Sequence, residues 1–258
     1  MKIAVLADIH GNSVALHAAL EDLARQGNVD HIVVAGDFFA PGSDTTAILG
    51  ALRQLPHARF LRGNADRYLL DKSYTTVYGA EGWQGLLRQA FHWTAERLSQ
   101  AEWDFLASLP FSQVIGAEGR QLLFVHGSPR SDDEGLTFET TAAELEWMGL
   151  DPQVDLLCCG HTHLPMDRII GGVRVVNVGS VGLPFDGDSR ASYAIISNLE
   201  AATVANIRVE LRRVAYDTEQ AAQRLFVTKH PAAELGAYNV QNGRPRGNTD
   251  IYQCQRTG

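Results

Sequence analysis

The chain has 258 residues, 45% hydrophobic and 20% charged, with a net charge of −8, which is ordinary for a globular protein long enough to bury a sizeable core. The acidic balance excludes a global basic field for nucleic acid, and three cysteines (Cys158, Cys159, Cys254) form no disulfide framework. No apolar run approaches the ~18 residues of a membrane helix, and the run after Lys2 is too short for a signal peptide, so a reducing cytoplasm is the expected compartment.

In chain order, Ile3–Ala7 (IAVLA) is continuously apolar, which suits a strand buried on both faces, and it ends at Asp8. Asn12 or Ser13 caps a following helix with the stripe Val14, Leu16, Ala19, Leu20 and Leu23, and Gly27 ends it. Ile32–Ala35 is the next strand, running into Gly36-Asp37. Asp44–Leu55 reads as a second helix, stopped before Pro56. Arg59–Arg62 is a short third strand ending at Gly63-Asn64. This β-α-β-α-β start predicts an α/β fold with parallel strands. Ala65–Pro110 is mostly helical, and its tryptophans (Trp83, Trp93, Trp103) are expected as core packing of inserted helices. Strands resume at Gln121–Val125 before His126, at Asp155–Cys159 before Gly160-His161, at Val173–Val178 and at Tyr193–Ser197. Asp132–Leu150 is loop and helix. Thr203–Val214 alternates apolar and polar residues, as an antiparallel strand does, and Asp217–Phe226 reads as a helix. From His230 the chain is rich in Gly, Pro, Asn and Arg. Residues 229–258 are therefore expected as a flexible or partner-dependent tail behind a domain at 1–228 that carries a helical insertion at about 66–112.

Five strands run out into residues able to bind a metal: Asp8 with His10, Asp37, Asn64, His126, and His161 with His163. In open α/β sheets, ligand sites lie beyond the carboxyl ends of the strands. Gly36, Gly63, Gly127 and Gly160 let tight turns bring the backbone close to whatever binds there. One aspartate after a strand is more often a helix cap, and one histidine more often structural; five coincidences at equivalent positions point to a shared site. Carboxylate, imidazole and amide oxygen without thiolate suit two divalent cations, manganese ahead of Fe, Zn, Ni or Mg. Seven side chains exceed one open metal and suit two if a carboxylate bridges, a role that falls to Asp37 in the middle of the set. Cys158 and Cys159 are adjacent on a strand, so they point to opposite faces and cannot share a metal; they are expected as small core residues.

The blocks DIH (Asp8–His10), GD (Gly36-Asp37), GN (Gly63-Asn64), VHGS (Val125–Ser128) and GHTH (Gly160–His163) together resemble the calcineurin-like metallophosphoesterases. NVGSVGLPFDGDSRASY (Asn177–Tyr193) is similar to the small bacterial and archaeal phosphodiesterase branch of that family. The resemblance extends to about Val214. It implies a four-layer sandwich, two mixed β-sheets face to face flanked by helices, with a dinuclear metal site at the strand C-terminal ends. It implies Asp8, His10 and His163 around one cation, Asn64, His126 and His161 around the other, and Asp37 between them. The implied activity is phosphodiester or phosphomonoester hydrolysis by water that two cations activate, with Asp8, Asp37, Asn64 and His126 acting through metal and water. Much of the family has a histidine after the asparagine to assist the leaving group; here that position is Ala65, so water or another side chain must serve.

Arg130, four residues after His126, is a candidate phosphate contact, with a surface salt bridge as the competing reading; Asp66 is a candidate orienter of a histidine ligand and equally a candidate turn or cap residue. Ser180 and Gly182 are candidates to line the site. Asp186 and Asp188 read as a polar turn, because the twelve-residue calcium pattern is missing. Neither GxxxxGK[ST] nor GxGxxG after the first strand occurs. The expected partner is a small phosphorylated substrate, with no membrane and no general nucleic-acid binding; self-association and the role of Arg244 and Arg246 stay open. The rival reading is a scaffold of the same fold that binds a protein and turns over poorly, motivated by Ala65 and weakened by the intact ligand set. A purely structural metal protein is weaker still, since closed sites do not need seven ligands and an open face.

Overall fold

The computed structural model describes residues 1–246. Strand β1 (Ile3–Leu6) lies in the middle of its sheet because both of its faces are apolar: Ile3 and Val5 join one core, Ala4 and Leu6 another. Its neighbours are β2 (His31–Ala35) and then β3 (Ala58–Leu61) in parallel on one side. On the other side β9 (Ala191–Ser197) and β10 (Arg208–Val214) run antiparallel, each to its neighbour. The second sheet has the order β4 (Ser112–Ala117), β5 (Arg120–Val125), β6 (Val154–Cys159), β8 (Val173–Asn177) and β7 (Met166–Ile170), with β5, β6 and β8 parallel and both edge strands antiparallel.

The two five-stranded mixed sheets face each other across a core of alternate residues, among them Val5 and Val33 from one and Phe124, Leu156, Cys158 and Val176 from the other. Helices cover the outer faces. Against the first sheet lie α1 (Ser13–Arg25) and α2 (Thr45–Leu52), burying Leu16, Ala19, Ile48 and Leu52. Against the second lies the short α7 (Ala142–Trp147), burying Leu145 beside Leu157 and Cys159. Cys158 and Cys159 thus sit in different cores, as adjacent strand residues must. Asn12 caps α1 by accepting the Ala15 N–H at 3.1 Å.

Between the sheets in sequence come α3 (Asn64–Asp71), α4 (Tyr74–Val77), α5 (Gly82–Ala95) and α6 (Gln100–Ser108). Phe105 of α6 closes on Phe38, Phe39 and Phe60 with ring centroids 5.1–6.2 Å apart. Among the described residues, no helix is long and apolar enough to cross a membrane.

The structure departs from the sequence expectations at four places. Edge strands β4 and β7 were not anticipated. The Thr203–Val214 stretch opens with a 3-10 turn at Val204–Asn206 and becomes strand only from Arg208. Most consequential, the expected tail is structured as far as it is described. Helix α9 (Ala233–Asn242) packs on α8 (Thr218–Val227) through buried Ala237 and Val240. Gly236 lies against Leu225 in that contact, where a Cβ would stand 2.8 Å from Leu225 Cδ1 and make that side chain shift. The rest of that tail, residues 247–258, lies outside the described residues.

Candidate metal centre

Parallel register brings the strand ends level: Leu6 lies opposite Val34, Ala35 opposite Leu61, and Phe124 opposite Cys158. The residues that follow reach the centre through left-handed turns. Asp8 (φ 57°), His10 (47°), Asp37 (58°), His161 (67°) and His163 (59°) all have positive φ. That conformation costs a non-glycine residue about 1–2 kcal/mol, and such strain collects at functional sites. Backbone bonds lock the turns together: Asp8 N–H to Gly36 O at 3.1 Å, His10 N–H to Asp37 O at 2.9 Å, and Gly160 N–H to His126 O at 2.8 Å. Glycine is required where turns touch. A Cβ at Gly63 would stand 2.1 Å from Asp37 Oδ1, and one at Gly160 2.4 Å from Asp8 Oδ2.

Each carboxylate is anchored by one oxygen and leaves the other facing inward. Asp8 Oδ2 accepts the His161 N–H at 2.9 Å, and Asp37 Oδ1 accepts the Ala65 N–H at 2.9 Å. Asp8 Oδ1 is buried with no hydrogen-bond partner, 3.2 Å from His163 Nε2 and 3.7 Å from His10 Nε2. Asp37 Oδ2 stands between His10 Nε2 at 3.6 Å and His126 Nε2 at 3.5 Å.

The imidazoles are oriented the same way. Nδ1–H of His10 donates to Ala40 O at 2.5 Å, that of His126 to Ala35 O at 2.7 Å, and that of His163 to Leu183 O. Each therefore turns Nε2 to the centre, as backbone-anchored metal-ligating histidines do. There, acceptor meets acceptor. His10 Nε2 faces His163 Nε2 at 3.1 Å, and Asn64 Oδ1 stands 2.9 Å from His126 Nε2; His161 Nδ1 lies 3.1 Å from the same oxygen. A proton or a cation satisfies such a convergence.

The electrostatics agree. Burial raises the Asp8 carboxyl, but His163 and His126 beside it win and hold it well below the usual range. Burial lowers His126, yet the Asp37 and Asp8 carboxylates drive its imidazole up to about 10. His161 is pushed down to about 4, by burial and then by the charge of His126. The field favours positive charge at the centre and lets one imidazole keep its proton at another's expense. Asp8, His10 and His163 form one group, and Asp8, Asp37 and His126 a second, that could hold a metal ion. The donor set, oxygen and imidazole nitrogen with one orphaned buried oxygen, fits divalent cations.

The chain matches the model of the calcineurin-like phosphoesterase superfamily domain over residues 1–200. It belongs to the calcineurin-like phosphoesterase superfamily. A metallophosphoesterase structure from Sphaerobacter thermophilus is 27% identical, with a TM-score of 0.73 over 94% of this chain and 100% of that one. A hypothetical protein from Pyrococcus horikoshii shares the fold at a TM-score of 0.80 and 21% identity, over 95% of this chain and 99% of its own. An uncharacterized protein of Methanocaldococcus jannaschii is 27% identical over 255 residues, 89% of this chain and 93% of the relative.

The structure places three further candidates. Asp66, open between orienting a histidine and serving a turn or cap, hydrogen-bonds no histidine among the described residues. Its Oδ2 accepts N–H groups from Asp37 at 2.8 Å and Gly63 at 2.9 Å, and its Oδ1 that of Phe38 at 3.1 Å. It staples the GD turn to the GN turn and caps α3. Burial and then the Asp37 charge push its carboxyl up to about 7 against those three bonds. Arg130, open between a phosphate contact and a salt bridge, takes the salt bridge: it is held by Glu134 at 2.5 Å, stacks over Trp147, 3.2 Å from the ring centroid, and is not among the residues lining the cavity at the centre. Ser180 is fully buried and donates to Asp8 O at 2.7 Å, supporting the strained Asp8 turn, whereas Gly182 does line the cavity.

Asn177 was missed as a single residue. Its amide donates to Gly160 O at 2.6 Å and Thr162 Oγ1 at 3.0 Å, holding the GHTH turn. Its place in the NVGS block was the available signal. Asp186 and Asp188 pair with Arg213 and Arg190, which agrees with a polar turn.

Proposed function

We propose that this calcineurin-like phosphoesterase is an enzyme that hydrolyses small phosphate diesters or monoesters in the cytoplasm with two divalent cations, manganese by preference. Asp8, His10 and His163 hold one cation, Asn64, His126 and His161 the other, and Asp37 lies between them. The observation that carries the reading is the convergence of inward-facing acceptors from five separate turns, with Asp8 Oδ1 buried and unpartnered at their middle. Bound cations supply Lewis-acid activation of water near neutral pH and neutralise phosphate charge.

The chain's residues do the positioning. The Nδ1–H bonds to Ala40, Ala35 and Leu183 fix three imidazole planes, and the Ala65 N–H keeps Asp37 Oδ2 turned to the centre. Asp8 and Asp37 contribute −2 against +4, so an acidic chain still offers a local anion trap. Ala65 supports this with its backbone alone.

The test is turnover of nitrophenyl mono- and diesters by metal-stripped protein, with and without added Mn. Activity restored by the metal is expected. No turnover with Mn, Fe, Zn, Ni or Mg would reject the reading in favour of a non-catalytic scaffold.

A further inference from the structure

A cavity of about 350 Å³ adjoins the centre, a size typical of small-ligand sites. Its floor carries the polar edge: His10, Asp37, Asn64, His161 and His163. Its walls have different chemistry. The inserted helices contribute Tyr78, Trp83, Leu87 and Phe91, and α8 and α9 contribute Leu225, Leu235 and Val240 from the other side. This second wall lies beyond residue 200, where the family match stops.

The carboxylates in the walls, Asp44 and Asp133, are paired. Arg224 donates to Asp44 at 2.7 Å, Arg67 donates to Asp133 at 2.6 Å, and Tyr68 also donates to Asp133. At the mouth, Arg246 lies over the Tyr238 ring, 5.5 Å from its centroid.

We propose that the cavity receives the organic group of the substrate, and that this group is apolar or aromatic. The ligand class is a phosphate ester whose phosphate meets the floor while its hydrophobic moiety lies between the inserted helices and the α8–α9 pair. This rests on the phosphoesterase reading for the floor and goes beyond it in naming the substrate class. The second wall gives residues 218–246 a purpose: they complete a specificity pocket rather than trail from the domain.

The experiment is calorimetric binding of phenylphosphonate and methylphosphonate to the Mn-loaded full chain. Both present the same anion, and neither has an ester bond to break. Burying the phenyl ring is expected to tighten binding at least about tenfold. Leu235→Trp and Leu87→Trp fill the cavity from opposite walls and are each expected to bring the ratio toward one. Equal affinities in the parent chain, a ratio unchanged in both variants, or no binding of either phosphonate would overturn the proposal. Nitrophenyl ester turnover in the same preparation keeps the two readings apart. Phenyl preference without turnover upholds the pocket and rejects hydrolysis; turnover without preference does the reverse.

Discussion

Asp37 shows how much a single residue carries at this centre. One oxygen is tied to the Ala65 N–H at 2.9 Å, and the other stands 3.6 Å from His10 Nε2 and 3.5 Å from His126 Nε2. In the proposed assignment Asp37 serves both cations, so Asp37→Ala is expected to abolish binding of both; two metal ions per chain retained after dialysis would refute the shared role. Asp66 acts one step back. Asp66→Asn turns an amide donor toward at least one of the three N–H groups the carboxylate now satisfies, at a cost of about 1–3 kcal/mol. Denaturant melts of the metal-free protein would read it, and an unchanged midpoint would show that the staple is dispensable. Ala65 is buried and lines the cavity. Ala65→His is expected to speed esters with poor leaving groups more than nitrophenyl esters, and equal effects would count against a need for acid assistance. The candidate ligands were legible at this scale because each is a metal-binding residue type at a strand end. How they are aimed was not legible. The positive φ of Asp8, His10, Asp37, His161 and His163 depends on backbone bonds between turns far apart in sequence, and the choice between Asp66 as orienter and as cap stayed open because its partners are main-chain groups with no sequence signature.

Among the elements, β1, β2, β5 and β6 were legible because strands buried on both faces are continuously apolar. The edge strands were not. Within β4, Val114 is 54% exposed, so its side chains carry little pattern, and the strand exists because β5 pairs with it. Helix α9 (AELGAYNVQN) reads as loop from its glycine and asparagines, yet it forms because α8 offers a surface that accepts Gly236 against Leu225; packing overrides propensity there. His230 lies at the joint between these helices and gives the pair a pH dependence. Burial, and then the charge of Arg97, hold its imidazole down to about 4, against about 6.5 unfolded. A depressed histidine leaves the folded state unwilling to take the proton that the unfolded chain accepts. Stability is thus full above about pH 6.5 and falls as pH drops toward 4, by on the order of 2–3 kcal/mol. His230→Gln is expected to reduce, by its own share, the fall of urea-melt midpoints across that window in the metal-free protein. Parallel pH profiles for variant and parent would show that His230 does not contribute.

For the whole molecule, the centre is where the two sheets meet: Asp8, Asp37 and Asn64 follow strands of the first, and His126, His161 and His163 follow strands of the second. Cations bound there would cross-link the halves of the sandwich, so their binding energy would be coupled to global unfolding rather than to the opening of one loop. Without them, the fold must keep two buried carboxylates beside the imidazoles of His10, His126 and His163, a charge cluster that only shared protons offset. A ligand bound solely by the folded state at a hundredfold excess over its Kd adds about 2.7 kcal/mol. For a domain of this size, each kcal/mol moves the melting temperature by about 2–4 °C. Manganese added to stripped protein is therefore expected to raise the melting temperature by at least about 5 °C in one cooperative transition, and by less than about 2 °C in Asp37→Ala. A parent chain whose melting temperature ignores manganese at millimolar concentration would mean that the strand ends converge without holding metal, and the phosphoesterase reading would lose its physical basis.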